Sequence, residues 1–151
     1  MVFDLPFGLS ISYMDLEIVF RVLVAVVLGG IVGYERERSR KPAGLRTHIF
    51  VSMGACLFTV ASFYLLPENI SGSYDATRIA AGVVAGISFI GAGSIIALKG
   101  DVKGLTTAAS LWVVSAIGLI LGLGNYLLPL IATIISFFLL RLGDIEKRIS
   151  K

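Results

Sequence analysis

Five apolar stretches, each close to the length that crosses a lipid bilayer, dominate this 151-residue sequence: Leu16–Tyr34, Thr47–Leu66, Ile79–Leu98, Leu105–Leu123 and Tyr126–Leu140. A helix needs about 20 apolar residues to cross a hydrocarbon core of about 30 Å. Strands are a poor reading of the same stretches, which are too long for one and lack strict alternation. Composition agrees, with 56% hydrophobic and 15% charged residues and a mean hydropathy of +0.91. So little charge excludes a disordered chain or a nucleic-acid binder. A domain this small also exposes too much surface to bury so many apolar groups in water. The expected fold is therefore all-α: an integral membrane bundle of five transmembrane helices with the lipid bilayer as first partner and no nucleic acid.

Charge sets the expected orientation. Eleven of the 13 Lys and Arg residues lie between Glu35 and Arg46, in the third-to-fourth connection (Lys99, Lys103) or in the tail (Arg141, Lys147, Arg148, Lys151). Five spans put all of these on one side, and the positive-inside rule makes that side cytoplasmic, with the amino terminus outside and the carboxyl terminus inside. The chain then divides into an extracytoplasmic segment at 1–15, a five-span domain at 16–141 and a basic cytoplasmic tail at 142–151. Met1–Asp15 has no Lys or Arg, hence no basic region of a cleavable signal. It reads as an interfacial segment or a frayed terminus. Gly122, Gly124, Asn125 and Pro129 are the candidate turn residues between spans four and five.

Two kinds of internal pattern stand out. Arg21-x4-Val26-Val27-x-Gly29 in span one is echoed by Arg78-x4-Val83-Val84-x-Gly86 in span three, and Gly44-Leu-Arg-Thr47 by Gly104-Leu-Thr-Thr107. The echo reads as a parallel repeat or as chance in a Val- and Gly-rich chain. Gly29/Gly33, Gly82/Gly86 and Gly118/Gly122 each place two glycines one turn apart, which allows close backbone approach within the bundle or between copies of the chain. With Gly91 and Gly93 added, span three is expected to be the central, most crowded helix. Trp112, deep in span four, is expected to need an internal partner for its indole N–H.

Charges at membrane depth are the candidate functional groups. Glu17 and Arg21 share a face of span one near the outer boundary, and Arg78 opens span three on that side with Asp75 nearby. The cytoplasmic side is denser. Glu35 and Arg36 abut apolar helix; Arg46, Thr47 and His48 stand at the mouth of span two, with Thr47 a fair N-cap. His48 reads as a hydrogen-bonded interfacial residue before it reads as a ligand or relay. Thr106 and Thr107 can cap span four, and Ser110 lies one turn deeper than Thr106. A helix start lined with hydroxyls suits an anion or carboxylate. The sharp expectation is that Glu35 or an anionic ligand meets this end with Arg46 completing the site; the bland one is an ordinary capped helix.

No metalloprotease, phosphate-loop or nucleophile-elbow signature occurs, and the single Cys (Cys56) forms no cluster. The expectation is a non-enzyme without cofactor, and the residues name no metal site.

Gly33-Tyr-Glu-Arg-Glu-Arg, Ala43-Gly-Leu-Arg-Thr47, Arg78-Ile-Ala-Ala81, Phe89-Ile-Gly-Ala-Gly93 and Gly104-Leu-Thr-Thr-Ala-Ala-Ser-Leu-Trp112 together resemble the MgtC/SapB family of bacterial and archaeal inner-membrane proteins. The likeness runs from about Arg21 to Gly124 and matches in order and spacing. It implies a hydrophobic multi-span module of the prokaryotic cytoplasmic membrane, associated with magnesium limitation and, in intracellular pathogens, with survival inside host cells. It also implies another membrane protein as partner, with the F-type ATP synthase as the candidate. Glu35, Arg36, Arg46, Thr47, Arg78, Gly91, Gly93, Gly104, Thr106, Thr107 and Trp112 are the positions it marks. Relatives with a soluble carboxyl-terminal domain differ from this chain, which resembles the short, SapB-like members. Gly82 stands where the family commonly has Gln, and Ser88 where Gly is frequent.

The leading expectation is a regulator in magnesium homeostasis that binds another membrane protein. The alternative is a transporter or channel for magnesium or an anion at the cytoplasmic mouth. Magnesium needs oxygen ligands. Glu35, Glu37 and Asp101 are the available carboxylates there, and their basic surroundings suit an anion better. A third expectation, an oligomeric structural protein, follows from the glycine faces alone.

Overall fold

The computed structural model describes residues 2–5, 9–64, 75, 77–98 and 101–149, with side chains described for 12–64, 75, 77–97 and 101–142. Leu65, Leu66, Lys99 and Lys151, and the side chains of Lys147 and Arg148, lie outside the described residues. Among these residues the chain forms β1 (Val2–Leu5), β2 (Leu9–Ser12), α1 (Tyr13–Arg38), α2 (Leu45–Tyr64), α3 (Thr77–Gly93), β3 (Ile96–Leu98), β4 (Asp101–Lys103), α4 (Leu105–Gly122) and α5 (Leu127–Ile149). The strands pair antiparallel, β1 with β2 and β3 with β4. Five helices carry the fold, as the hydropathy predicts.

Local chemistry sets the ends of these helices. Ser12 and Asp15 form a reciprocal cap at the start of α1: Ser12 Oγ accepts from Asp15 N–H at 3.2 Å, and Asp15 Oδ2 accepts from Ser12 N–H at 2.8 Å. β2, paired with β1, thus leads directly into a capped helix. Between α1 and α2, Glu37 Oε2 accepts from the Leu45 N–H at 2.8 Å, so α2 begins two residues before Thr47, the expected cap. Gly104 caps α4 with φ of 92°, and a Cβ there would stand 2.0 Å from the Ser94 carbonyl oxygen. Only glycine fits that approach. Thr106 and Thr107 are therefore helical residues rather than caps. At the α4–α5 turn, Gly124 takes φ of 85° and Asn125 Oδ1 accepts from Leu128 N–H at 3.2 Å. Of the expected turn residues Gly124 and Asn125 serve, whereas Gly122 ends α4 and Pro129 is buried in the first turn of α5.

Hydropathy runs on to Leu98, yet α3 stops at Gly93, where the N–H and hydroxyl of Ser94 both donate to the Gly91 carbonyl. The apolar residues beyond form β3.

The packing centres on α2 and α4, not on α3 as expected. Ala25 and Leu28 of α1, Cys56 and Val60 of α2, and Ile117 and Leu121 of α4 make one buried cluster; a smaller one joins Ala43, Ile87 and Leu111. Only Ile87 and Gly91 of α3 are buried. Glycine contacts explain the difference. A Cβ on Gly118 would lie 2.1 Å from the Ser52 carbonyl oxygen, one on Gly122 2.5 Å from Thr59 Cβ, one on Gly29 2.7 Å from Ser52 Cβ and one on Gly33 2.8 Å from His48 Cβ. The glycine pairs of α1 and α4 thus clamp α2 from two sides. Gly91 meets Ala108 at an ordinary 3.5 Å, while Gly82, Gly86 and Gly93 have nothing within 4 Å. Gly29 and Gly86, equivalent in the sequence echo, therefore have unlike surroundings, as do buried Arg21 and exposed Arg78.

The outward faces are apolar. Leu16, Val19, Phe20, Leu23, Val27 and Ile31 form an exposed stripe on α1 at helical spacing, while Arg21, Glu35, Arg36, His48, Ser52, Thr107 and Ser110 are buried. A water-soluble bundle has the reverse arrangement. Three helices, α1, α2 and α4, are long and apolar enough to cross a membrane; α3 and Leu127–Leu142 of α5 are shorter apolar helices. α3, at 17 residues, rises about 26 Å.

Candidate functional site

The site lies where the last turn of α1 meets the first turns of α2 and α4, with Leu140 of α5 alongside. Glu35 and Arg36, adjacent in α1, are 4% and 2% exposed and bond to one another, Arg36 Nε donating to Glu35 Oε2. Ser39, one turn on, donates its hydroxyl to Glu35 Oε1 at 2.8 Å, and Arg36 Nη2 donates to the Leu140 carbonyl of α5 at 3.3 Å. The carboxylate is thus neutralised by its neighbour, and the guanidinium ties α1 to α5. Pairing of this kind is what makes a buried charge tolerable.

His48, buried between α1 and α4, extends the polar core. Its Nδ1 lies 2.9 Å from the Gly44 carbonyl and its Nε2 lies 3.0 Å from Ser110 Oγ, which is itself 2.8 Å from the Thr107 carbonyl. A carbonyl only accepts, so Nδ1 carries a proton. In the neutral ring Nε2 is bare and must take the Ser110 proton, leaving the Thr107 carbonyl without it. In the cationic ring Nε2–H donates to Ser110, whose proton is then free for Thr107. The charge on the ring therefore decides which of two acceptors the Ser110 hydroxyl faces. One turn deeper, the Ser52 hydroxyl is buried with no partner among the described residues.

The expected knot of Glu35, Arg46 and the Thr106 turn is not assembled. Glu35 turns to Arg36 and Ser39, while Arg46 and Thr106 lie on exposed faces. Thr47 is half-buried, and Thr107 with Ser110 supplies the buried hydroxyl face of α4. Helical phase explains this. Arg46 is two residues before buried His48, about 200° round α2, and Thr106 is about 100° from Thr107. Ser39 and the Leu140 carbonyl were not anticipated. The four-residue spacing of Ser39 from Glu35 was the available signal for the first; no local signal marks a backbone carbonyl 104 residues away.

At the opposite end Arg21 is buried as a structural tie. It donates to Glu17 Oε1 at 2.5 Å and to the Gly122 carbonyl at 2.7 Å, and its guanidinium stacks 4.7 Å from the Tyr64 ring centre. The expected Glu17–Arg21 pair is present. Arg78 is exposed and forms no ion pair with Asp75. The Asp75 carboxylate instead accepts from the Thr77 hydroxyl and N–H, and these bonds hold it below the usual carboxylate range. Trp112 is 53% exposed, so its ring faces outward rather than towards an internal partner. Among the described residues no three His, Cys, Asp or Glu side chains gather in one place.

The MgtC family model matches residues 22–148. The chain is 40% identical over 130 residues to YhiD of Escherichia coli K12, which carries the provisional name of a magnesium transporter; the match covers 84% of this chain and 60% of YhiD. It is 36% identical over 137 residues to SrpB of Synechococcus elongatus, covering 85% of this chain and 74% of that protein. With MgtC of Salmonella typhimurium LT2 it shares 41% identity over 117 residues, 78% of this chain and 48% of MgtC. The chain thus spans about three fifths or less of YhiD and MgtC. No solved structure matches it at a significant level.

Proposed function

Because this chain belongs to the MgtC family, we propose that it is a non-enzymatic, multi-pass protein of the prokaryotic cytoplasmic membrane that regulates another membrane protein during magnesium limitation. All five helices cross, with the amino terminus outside. The observation that carries the membrane reading is the inverted bundle: apolar stripes outside, ion pairs and hydroxyls inside. The described basic residues at one end of the bundle (Arg36, Arg38, Arg40, Lys41, Arg46, Lys103 and Arg141) support the orientation.

The regulator reading is supported by how the interior is filled. The glycine contacts of α1 and α4 close the centre around α2, and Glu35 is already engaged by Arg36 and Ser39. A paired carboxylate is a poor ligand for a cation. The outer faces remain for a partner, and family resemblance nominates the F-type ATP synthase.

A second reading, magnesium or anion transport, is favoured by the name YhiD carries. Ion flux into liposomes containing the purified protein separates the two. Regulation predicts flux no greater than in empty liposomes and a co-purifying membrane partner. Flux well above that of empty liposomes establishes transport instead.

A further inference from the structure

A groove between two of the described helices is left unfilled. α2 and α3 flank a groove of about 880 Å³, walled by Phe50, Gly54 and Phe58 on α2 and by Gly82, Gly86 and Ile90 on α3. Its volume is in the upper part of the ~300–1,000 Å³ range of small-ligand sites. The three glycines have nothing within 4 Å of a Cβ position, unlike the glycine pairs that clamp α2. Interiors pack densely, so an apolar space of this size in a bilayer is filled by something. Phe50 and Phe58 on its rim are 66% and 58% exposed, so the groove opens onto the surface that faces lipid.

Length and charge identify the occupant. The wall from Arg46 to Phe58 rises about 18 Å. One leaflet of the hydrocarbon core is about 15 Å deep. The groove is therefore as long as one acyl chain, and a crossing helix of a partner or second copy would run well beyond it. Arg46 and Thr47 line the end of the groove at the start of α2. Among the described residues Arg46 has no ion-pair partner, and the neighbouring Glu37 carboxylate is held by the Leu45 N–H. A cation and a hydroxyl at the mouth of an apolar slot match an anionic headgroup above its own chain.

We propose that this groove holds one acyl chain of an anionic phospholipid from the leaflet beside Arg46, with the lipid phosphate on the Arg46 guanidinium and the Thr47 hydroxyl. The lipid is a structural ligand that completes the α2–α3 contact. The inference needs the helices to lie in a bilayer and does not depend on whether the protein regulates or transports.

Native mass spectrometry of the purified full chain, titrated with phosphatidylglycerol or phosphatidylcholine, tests it. One phosphatidylglycerol is expected to stay bound per chain with at least about tenfold preference, and Arg46→Gln should bring the two lipids to near parity, as loss of a charge-assisted contact does. Gly86→Leu, which places a side chain in the open groove, should abolish retention of both. Equal retention of the two lipids by the unsubstituted chain, an unchanged preference in Arg46→Gln, or a dimer disrupted by Gly86→Leu while lipid stays bound overturns the proposal. Should Gly86→Leu fail to fold, phosphatidylglycerol with brominated chains gives a second readout. It should quench a tryptophan introduced by Phe58→Trp in a Trp112→Phe background more strongly than brominated phosphatidylcholine; equal quenching counts against the proposal.

Discussion

Gly118 of α4 lies so close to Ser52 of α2 that a Cβ on the glycine would stand 2.1 Å from the Ser52 carbonyl oxygen. With Gly29 against the other side of the same serine, this contact fixes α2 in the middle of the bundle and sets the depth at which His48 meets Ser110. Backbone atoms cannot move aside as a flexible side chain can. Gly118→Ala should therefore destabilise the protein by about 1–3 kcal/mol, as overpacking does. Gly82→Ala, facing open space, should leave stability nearly unchanged. Thermal unfolding in detergent, followed by loss of the monodisperse species, compares the two.

Ser52 itself carries a prediction of the opposite sign. Its buried hydroxyl has no partner among the described residues, whereas its Cβ packs the glycine crossing. Ser52→Ala keeps the packing atom and removes the unsatisfied group, so stability should be unchanged or rise by up to about 1 kcal/mol. The same unfolding assay reads this out, and a clear loss would mean the hydroxyl is bonded.

Glu35→Gln removes the charge that balances buried Arg36 and should cost about 3–5 kcal/mol, the usual penalty for an orphaned buried charge. Replacing both together, Glu35→Gln with Arg36→Met, should be less damaging than the sum of the two single changes. A double-mutant cycle on the unfolding transition measures that coupling. Additive losses would show that the two side chains do not act as a pair.

Ser110→Ala leaves His48 Nε2 without its hydroxyl and should cost about 1–3 kcal/mol. Thr106→Ala, one turn away but exposed, should have little effect. This contrast checks which hydroxyls of α4 belong to the polar core.

The helices were legible because hydropathy records what faces lipid and core alike, and both are apolar in a membrane bundle. For the same reason hydropathy was blind to the end of α3. Ile95, Ile96, Ala97 and Leu98 are as apolar as the helix before them, and only the Ser94 turn separates the two. The three glycine pairs share one spacing, yet Gly29/Gly33 and Gly118/Gly122 meet a neighbour while Gly82/Gly86 do not. Spacing reports a face; what lies opposite is a tertiary fact. Likewise Glu35, Arg36, His48 and Ser110 were recognisable as misplaced polar groups, but their partners were not. The burial of Arg36 follows from the α1 face that runs through Gly29 and Gly33, and the exposure of Arg46 from its phase relative to His48. The Leu140 carbonyl that receives Arg36 depends on how α5 returns to the bundle.

The proposed function depends on five crossings that gather Glu35, Arg36, His48 and Ser110 at the cytoplasmic end. Labelling of single cysteines with a membrane-impermeant thiol reagent in spheroplasts tests it most directly, because the native Cys56 is buried and stays silent. Asp75→Cys should react in intact spheroplasts, and Arg40→Cys and Lys103→Cys only after permeabilisation. Labelling of Arg40→Cys from outside, or of Arg40→Cys and Lys103→Cys from opposite sides, would contradict the account.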